Sequence, residues 1–170
     1  MNYREALNNI IFNFTHEVIE RKMVEDNPEY EKWFIRIEKI KRRIKDSILT
    51  NEQVILFDRL VDSYSDLYNM DFLYMTIQGV RFYFVNNRVY EKDDGDILYI
   101  SQLKQFHDEK RYESLKNNVK NMKQQLEYNL SDEVFGYIQL FDNEYVNNCN
   151  YWLKKTFVYA GKVISGIKFI

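Results

Sequence analysis

The chain has 170 residues, 45% of them hydrophobic and 29% charged, which is enough apolar material for a packed core without disulfides or metal and excludes wholesale disorder. Its net charge of -2 supplies no global field toward nucleic acid or an anionic membrane, and its single cysteine, Cys149, cannot form an internal disulfide, as suits a reducing cytosol. Five glycines and one proline are too few for the tight turns of a sandwich or barrel, so the expected fold class is all-α.

The first segment places Tyr3, Leu7, Ile10, Ile11, Phe14 and Val18 at three- and four-residue steps, the spacing of one helical face. Asn2 with Glu5 forms a capping box at its start. Glu5 interrupts the early apolar run and no small-residue cleavage site follows, so a secretory signal is not expected. Asp26-Asn27-Pro28 is the sharpest boundary: Asn27 is expected as the N-cap of a second helix and Pro28 as its first residue, where the missing N–H costs nothing.

That second helix runs to Leu49 with Tyr30, Trp33, Phe34, Ile37, Ile40, Ile44 and Ile48 on its apolar stripe and Lys and Arg opposite. Thr50 with Gln53 is another capping box, opening a third helix whose core positions are Val54, Phe57, Leu60, Val61, Tyr64, Leu67 and Tyr68. Around Asn69-Met70-Asp71 the pattern predicts either a kink or a fresh start. From Phe72 to about Asn86 the sequence is apolar nearly all round, the mark of a helix buried on most sides; Gln78, Gly79 and Arg81 interrupt it well short of the roughly 20 apolar residues of a membrane span.

Residues 91–96, charged, aperiodic and containing Gly95, read as a linker between two helical units, 1–90 and 97–170. Beyond it the pattern gives a short helix over 97–106, then a long one with Tyr112, Leu115, Val119, Met122 and Leu126. A helix capped by Ser131 carries Val134, Phe135, Ile138, Phe141 and Tyr145, and an aromatic terminal helix starts near Tyr151. The two halves resemble each other. Tyr30-Glu31 matches Tyr112-Glu113, Leu49-Thr50 matches Leu130-Ser131, Tyr64 matches Tyr145, and Gly79 falls within one residue of the counterpart of Gly161. The expected architecture is a bundle of six to eight helices built from two tandem, pseudosymmetric units that together form one domain.

The order of these motifs resembles a family of small uncharacterised all-helical proteins of low-GC Gram-positive bacteria and their phages. The resemblance is carried by Glu29-Tyr30, by L-F-D-x-L at Leu56 to Leu60, and by an aromatic helix from Phe72 to Gly79. It covers residues 3 to 90 once and residues 97 to 165 again in degenerate form. It implies an all-α fold and a phage or mobile-element origin, and it assigns no site residues. Abundant Asn, Ile, Lys, Tyr and Phe, with Ala6 and Ala160 the only alanines, fit AT-rich coding of that kind.

Four groups of residues suggest chemistry. His16, Glu17 and Glu20 form H-E-x-x-E, in which a His and a carboxylate four apart share a helix face; a zinc protease motif needs His where Glu20 stands, and the only other histidine, His107, lacks the di-iron arrangement, so solvated polar residues are expected and no metal or other cofactor. Asp58, Asp62 and Asp66 make a carboxylate ladder of the kind helical Mg-dependent nucleotide hydrolases use, but ion pairing with Arg36, Lys39 or Arg43 of the preceding helix accounts for it more simply. Lys39, Arg42 and Arg43, with Lys41 and Lys45, are the local patch able to touch nucleic-acid phosphates. The terminal helix mixes Tyr151, Trp152, Phe157 and Tyr159 with Lys154, Lys155 and Lys162; it resembles an interfacial membrane helix in composition, but as the closing helix of the second unit it belongs to the core.

No nucleophile–base pair, phosphate loop or Cys-His cluster is evident in the sequence, which favours a non-enzymatic protein. Aromatic residues, 16% of the chain, exceed what the apolar stripes need, so Tyr151 and Trp152 are expected to face a protein partner or a second copy. The leading expectation is a cytoplasmic protein–protein interaction module that binds and modulates a host protein; a nucleic-acid-associated regulator and a nucleotide hydrolase follow.

Overall fold

A computed structural model describes residues 9–86 and 109–166. Over these the chain is all-α, in five continuous helices: α1 (residues 9–26), α2 (Pro28–Ser47), α3 (Asn51–Asn86), α4 (Glu109–Asn129) and α5 (Asp132–Gly166). The Asn2–Glu5 cap, the 91–96 linker, the 97–106 helix and His107 lie outside the described residues.

The described helices number five because two boundaries that the pattern offered are absent and the expected 97–106 helix lies outside the described residues. The pattern predicted a kink or a restart at Asn69-Met70-Asp71, and α3 is one continuous helix across it; a new helix was expected near Tyr151, and α5 is continuous from Asp132. Neither place holds a Gly or Pro to break the backbone ladder. At the second, the Asn148 side chain donates to the Glu144 carbonyl at 2.7 Å from within the helix and so does not compete with it.

The true helix ends follow the sequence signals closely. Gln53 N–H reaches Thr50 Oγ1 at 3.4 Å and Thr50 N–H reaches Gln53 Oε1 at 3.0 Å, a reciprocal capping box at the start of α3. Ser131 Oγ accepts from Val134 N–H at 3.4 Å at the start of α5. Pro28 opens α2 as expected, but the Asn27 side chain does not cap it. That side chain donates back to the Met23 carbonyl at 2.9 Å and across to Tyr159 Oη at 2.8 Å, and only the main-chain carbonyl of Asn27 serves α2, taking Tyr30 N–H at 2.9 Å. The asparagine terminates α1 and ties it to α5.

α1 also corrects the predicted stripe. Ile10 and Val18 are exposed, and the buried residues are Thr15, Ile19 and Met23. The cause is a π-helical stretch, Phe14–Glu20, whose wider turn advances the buried face by one residue relative to a 3.6-residue period. Thr15 Oγ1 donates to the Ile11 carbonyl at 2.8 Å within it.

The chain forms two compact units, each drawing on segments from both sides of the expected linker. One gathers Met1–Tyr30, Met70–Phe106 and Asn150–Ile170; the other gathers Glu31–Asn69 and His107–Cys149. In the first unit α1 packs along the second half of α5 through the Thr156 hydroxyl against Met23 sulfur at 3.4 Å, and Tyr30, in the first turn of α2, stands edge-on to Trp152 at 4.7 Å. The end of α3 lies on the same part of α5 with Gly79 at the contact: a Cβ there would sit 2.1 Å from the Phe157 carbonyl oxygen and 2.9 Å from Ala160 Cβ, so only glycine permits this approach. Thr76 and Gln78 add polar atoms to a largely apolar interior.

In the second unit the first half of α3 and the first half of α5 form the central pair, with Phe57 on Phe141 at 5.2 Å and Tyr145 between Tyr64 at 5.3 Å and Tyr68 at 5.5 Å. Contact positions on the two helices rise together, so they run parallel. α2 and α4 flank this pair, each folded back from its hairpin partner. The core residues Phe57, Leu60, Val119, Leu126, Ile138 and Phe141 are those the periodicity selects, while Phe34, assigned to the stripe of α2, is 56% exposed.

Candidate functional site

The H-E-x-x-E group lies in the first unit, where it is a closed polar contact. His16 Nδ1 and Glu20 Oε2 are 2.9 Å apart, and the Tyr30 hydroxyl donates to the other carboxylate oxygen at 2.5 Å. The hydrogen bond with His16 lowers the Glu20 pKa against the opposing effect of burial. Glu17 is exposed. Both carboxylate oxygens of Glu20 thus serve to hold α1 to Tyr30, and among the described residues no group of three His, Cys, Asp or Glu side chains is placed to hold a metal ion.

The acidic ladder and the basic run face each other in the second unit, but they meet at one rung. Lys45 Nζ donates to Asp58 at 2.9 Å, joining α2 to α3. Arg36, expected opposite the ladder, instead pairs with Glu144 of α5 at 2.9 Å, and Lys41 pairs within its own helix with Glu38 at 2.7 Å. Asp62 and Asp66 remain exposed.

Lys39, Arg42 and Arg43 are all exposed, and among the described residues none makes an ion pair or hydrogen bond. With Ile35, 46% exposed, Lys39 and Arg42 follow one another at four and three residues along the outward stripe of α2. Arg43 lies one helical turn from Lys39, at the margin nearer α5.

The adjoining face of α5 is one that sequence reasoning missed. Tyr137, Leu140 and Glu144 share a stripe at three- and four-residue spacing. Because Glu144 receives Arg36, this stripe borders the edge of α2 that carries Arg36, Ile40 and Arg43. Leu140 is 66% exposed and Tyr137 is also exposed. The signal was present in the chain: Leu140 falls between the core positions Ile138 and Phe141, where a half-buried helix carries a polar residue.

The terminal aromatic pair divides. Tyr151 is exposed, with Lys155 Nζ 5.4 Å from its ring centre. Trp152, expected beside it on a partner surface, is 2% exposed and belongs to the core of the first unit, because residues adjacent in a helix point about 100° apart. Cys149 is buried, and burial pushes the nearby Tyr145 hydroxyl up to about 12. Among the described residues no helix is long and apolar enough to cross a membrane.

Comparison with protein-family models, with curated proteins and with solved structures finds no match. The functional reading therefore rests on the residues themselves.

Proposed function

We propose that this chain is a non-enzymatic protein–protein interaction module whose working surface is the outward face of α2 with the adjoining stripe of α5, and that it serves a phage or other mobile element by occupying a host protein. The observation that carries this reading is the juxtaposition of exposed Leu140 and Tyr137 with Arg43, a cation that no neighbour neutralises among the described residues. Solvent-facing apolar side chains beside arginine are the composition of interface centres, where apolar burial supplies affinity and the guanidinium supplies orientation. The partner implied is a protein with an apolar pocket and acidic side chains around it. Tyr151 is a separate exposed aromatic in the other unit and a candidate for a second contact.

The test is affinity capture from a low-GC Gram-positive lysate, with and without nuclease, comparing the native chain with Leu140→Asp and Arg43→Glu. A stoichiometric protein that survives nuclease and is lost with either variant, while circular dichroism is unchanged, supports the module. Recovery that is unaffected by both variants counts against this surface. A second reading, a nucleic-acid-associated regulator, draws on the same cations. It is favoured instead if recovery is nuclease-sensitive and Lys39→Glu, Arg42→Glu and Arg43→Glu weaken it while Leu140→Asp does not.

The two hairpins also read as copies of one ancestral unit. Helices of 20 and 36 residues are followed by helices of 21 and 35. Thr50 to Ser131, Tyr64 to Tyr145 and Gly79 to Ala160 are equally spaced along the chain; the first pair are both caps, and the other two pairs touch. Residues that contact their own counterparts are what a fused symmetric pair produces. A folded, self-associating 1–90 fragment is the expected result of dissecting the chain, and an unfolded monomeric fragment would oppose it.

A further inference from the structure

Gly136 lies inside α5 without a reason in its own fold. A glycine within a helix weakens it relative to alanine, and Gly79 is needed because the Phe157 carbonyl of α5 leaves no room for a Cβ. At Gly136 an added Cβ would meet nothing within 4 Å. The bare backbone therefore faces open space. Gly136, Leu140, Asn143 and Asn147 follow one another at four, three and four residues, so they form one outward ridge of α5. Leu140, Asn143 and Asn147 are exposed, and exposed Tyr137 stands beside Leu140 on the side of α2. A projecting leucine one turn from a bare backbone is a knob beside a hole, which is the surface that a second helix fits.

The two borders of this ridge differ in charge. α2 runs antiparallel to α5, so residue numbers fall along one as they rise along the other from the Arg36–Glu144 contact. Lys39 then comes level with residue 141 and Arg43 with Tyr137. Both cations are exposed, and among the described residues neither has an ion partner, whereas Glu144 is already taken by Arg36 at 2.9 Å. On the other side, Lys120 and Glu127 line the groove between α4 and α5 with Gln139 and Asn143 and offset one another. Lys123 in that groove is occupied by Asp142 at 2.5 Å, a carboxyl that burial pushes up to about 6. The uncompensated positive charge lies along the α2 border.

We infer that the occupant of this face is an acidic amphipathic α-helix of the partner protein, laid along α5 with its backbone close to Gly136, its apolar side chains on Leu140 and Tyr137, and its carboxylates toward Lys39 and Arg43. The inference rests on the interaction surface proposed above and states what that surface recognises. Each contact has its physical counterpart: a helix with an apolar stripe seats by its i, i+3 and i+4 side chains, the glycine lets the two backbones approach, and opposite charge sets the orientation. The Asn143 and Asn147 amides fix the register, as polar residues in a helical seam do.

The test is fluorescence anisotropy of the full chain with three labelled designed peptides of about 20 residues, long enough to hold a helix in water. The first carries Ala and Leu in one stripe with Glu along its shoulder, the second has Lys in place of Glu, and the third has the composition of the first with the stripe scrambled. The first is expected to bind at least about tenfold more tightly than either control, and less tightly as salt is raised. Gly136→Leu should weaken it by at least about tenfold while Tm stays at or above that of the native chain, because the space that admits the partner admits the new side chain in the free protein. Lys39→Glu with Arg43→Glu should turn the preference to the Lys peptide. The inference is overturned if the first peptide fails to bind at millimolar concentration, if the Glu and Lys peptides bind equally, or if Gly136→Leu leaves binding unchanged. Sedimentation showing that the native chain self-associates and that Leu140→Asp is monomeric gives the face to a second copy and overturns it too. Lysate capture that is lost with Leu140→Asp but kept by Gly136→Leu leaves the interaction surface standing and overturns the helix alone.

Discussion

Replacing Gly79 by alanine should unfold this protein more readily, and replacing Gly136 by alanine should stabilise it, although both glycines lie inside long helices. Alanine is favoured over glycine in a helix interior by about 1 kcal/mol, so helix propensity alone predicts two stabilising changes. At Gly136 nothing lies within 4 Å of the added Cβ, and the gain of roughly 0.5–1 kcal/mol should appear in full. At Gly79 the new methyl would sit 2.1 Å from the Phe157 carbonyl oxygen. That oxygen belongs to the main chain of α5 and cannot turn aside as a side chain would. Ordinary contact demands roughly another ångström of separation, which moves the end of α3 away from Phe157 and Ala160 and loosens the Phe82–Phe157 ring contact at 5.7 Å. Overpacking of this kind costs about 1–3 kcal/mol or more, and with no rotamer to relieve it the upper end applies, leaving a net loss of about 2 kcal/mol after the propensity gain. For a chain of this length each kcal/mol moves Tm by roughly 2–4 °C, so Gly79→Ala should lower Tm by about 4–8 °C and Gly136→Ala raise it by about 1–4 °C. Thermal melts and urea unfolding of the two variants beside the native chain make the comparison. Equal shifts, or a Gly79→Ala variant more stable than the native protein, would refute the reasoning from close helix contact.

Thr50→Ala and Ser131→Ala should each cost about 1 kcal/mol in urea unfolding, since each removes the side-chain acceptor at the start of a long helix; a loss confined to one would show that the two caps are not equivalent. Asp58→Asn should destabilise by at most about 1 kcal/mol, and less at high salt, because the Lys45–Asp58 pair is partly exposed; a Mg2+-dependent change in the native chain's stability that this variant removes would contradict ion pairing as the role of Asp58. Asp142 titrates at about 6 in the folded chain and about 4 when unfolded, so the folded state holds this proton more tightly. Its contribution to stability is complete below pH about 4 and declines as pH rises to about 6; unfolding free energies of the native chain and Asp142→Asn measured across that window should diverge, and parallel curves would rule out the raised carboxyl.

Much of the fold was legible because it is written in local chemistry. The scarcity of glycine and proline, the three- and four-residue spacing of Phe57, Leu60, Val61 and Tyr64, and the caps at Thr50 and Ser131 fixed the helices and most of their buried faces, since a helix closes its own hydrogen bonds within a few residues. Local signals failed where the local geometry departed from the ideal. The stripe of α1 is displaced by a π-helical stretch that a 3.6-residue period cannot anticipate, and the Asn27 side chain bonds the Met23 carbonyl and the Tyr159 hydroxyl in preference to the helix it precedes.

The candidate sites were less legible. The sequence named Lys39, Arg42 and Arg43, and could not say that Arg36 would leave this run for Glu144, so that Leu140 and Tyr137 would border it. Nor could it separate Tyr151 from Trp152, or bring Lys123 to Asp142 within a groove. Helix identity, caps and amphipathic faces depend on residues a few positions apart and are set by the sequence directly. Which charges find partners, which glycine touches a neighbouring backbone and which aromatic ring is left in water depend on residues far apart in the chain, and only tertiary packing brings those together.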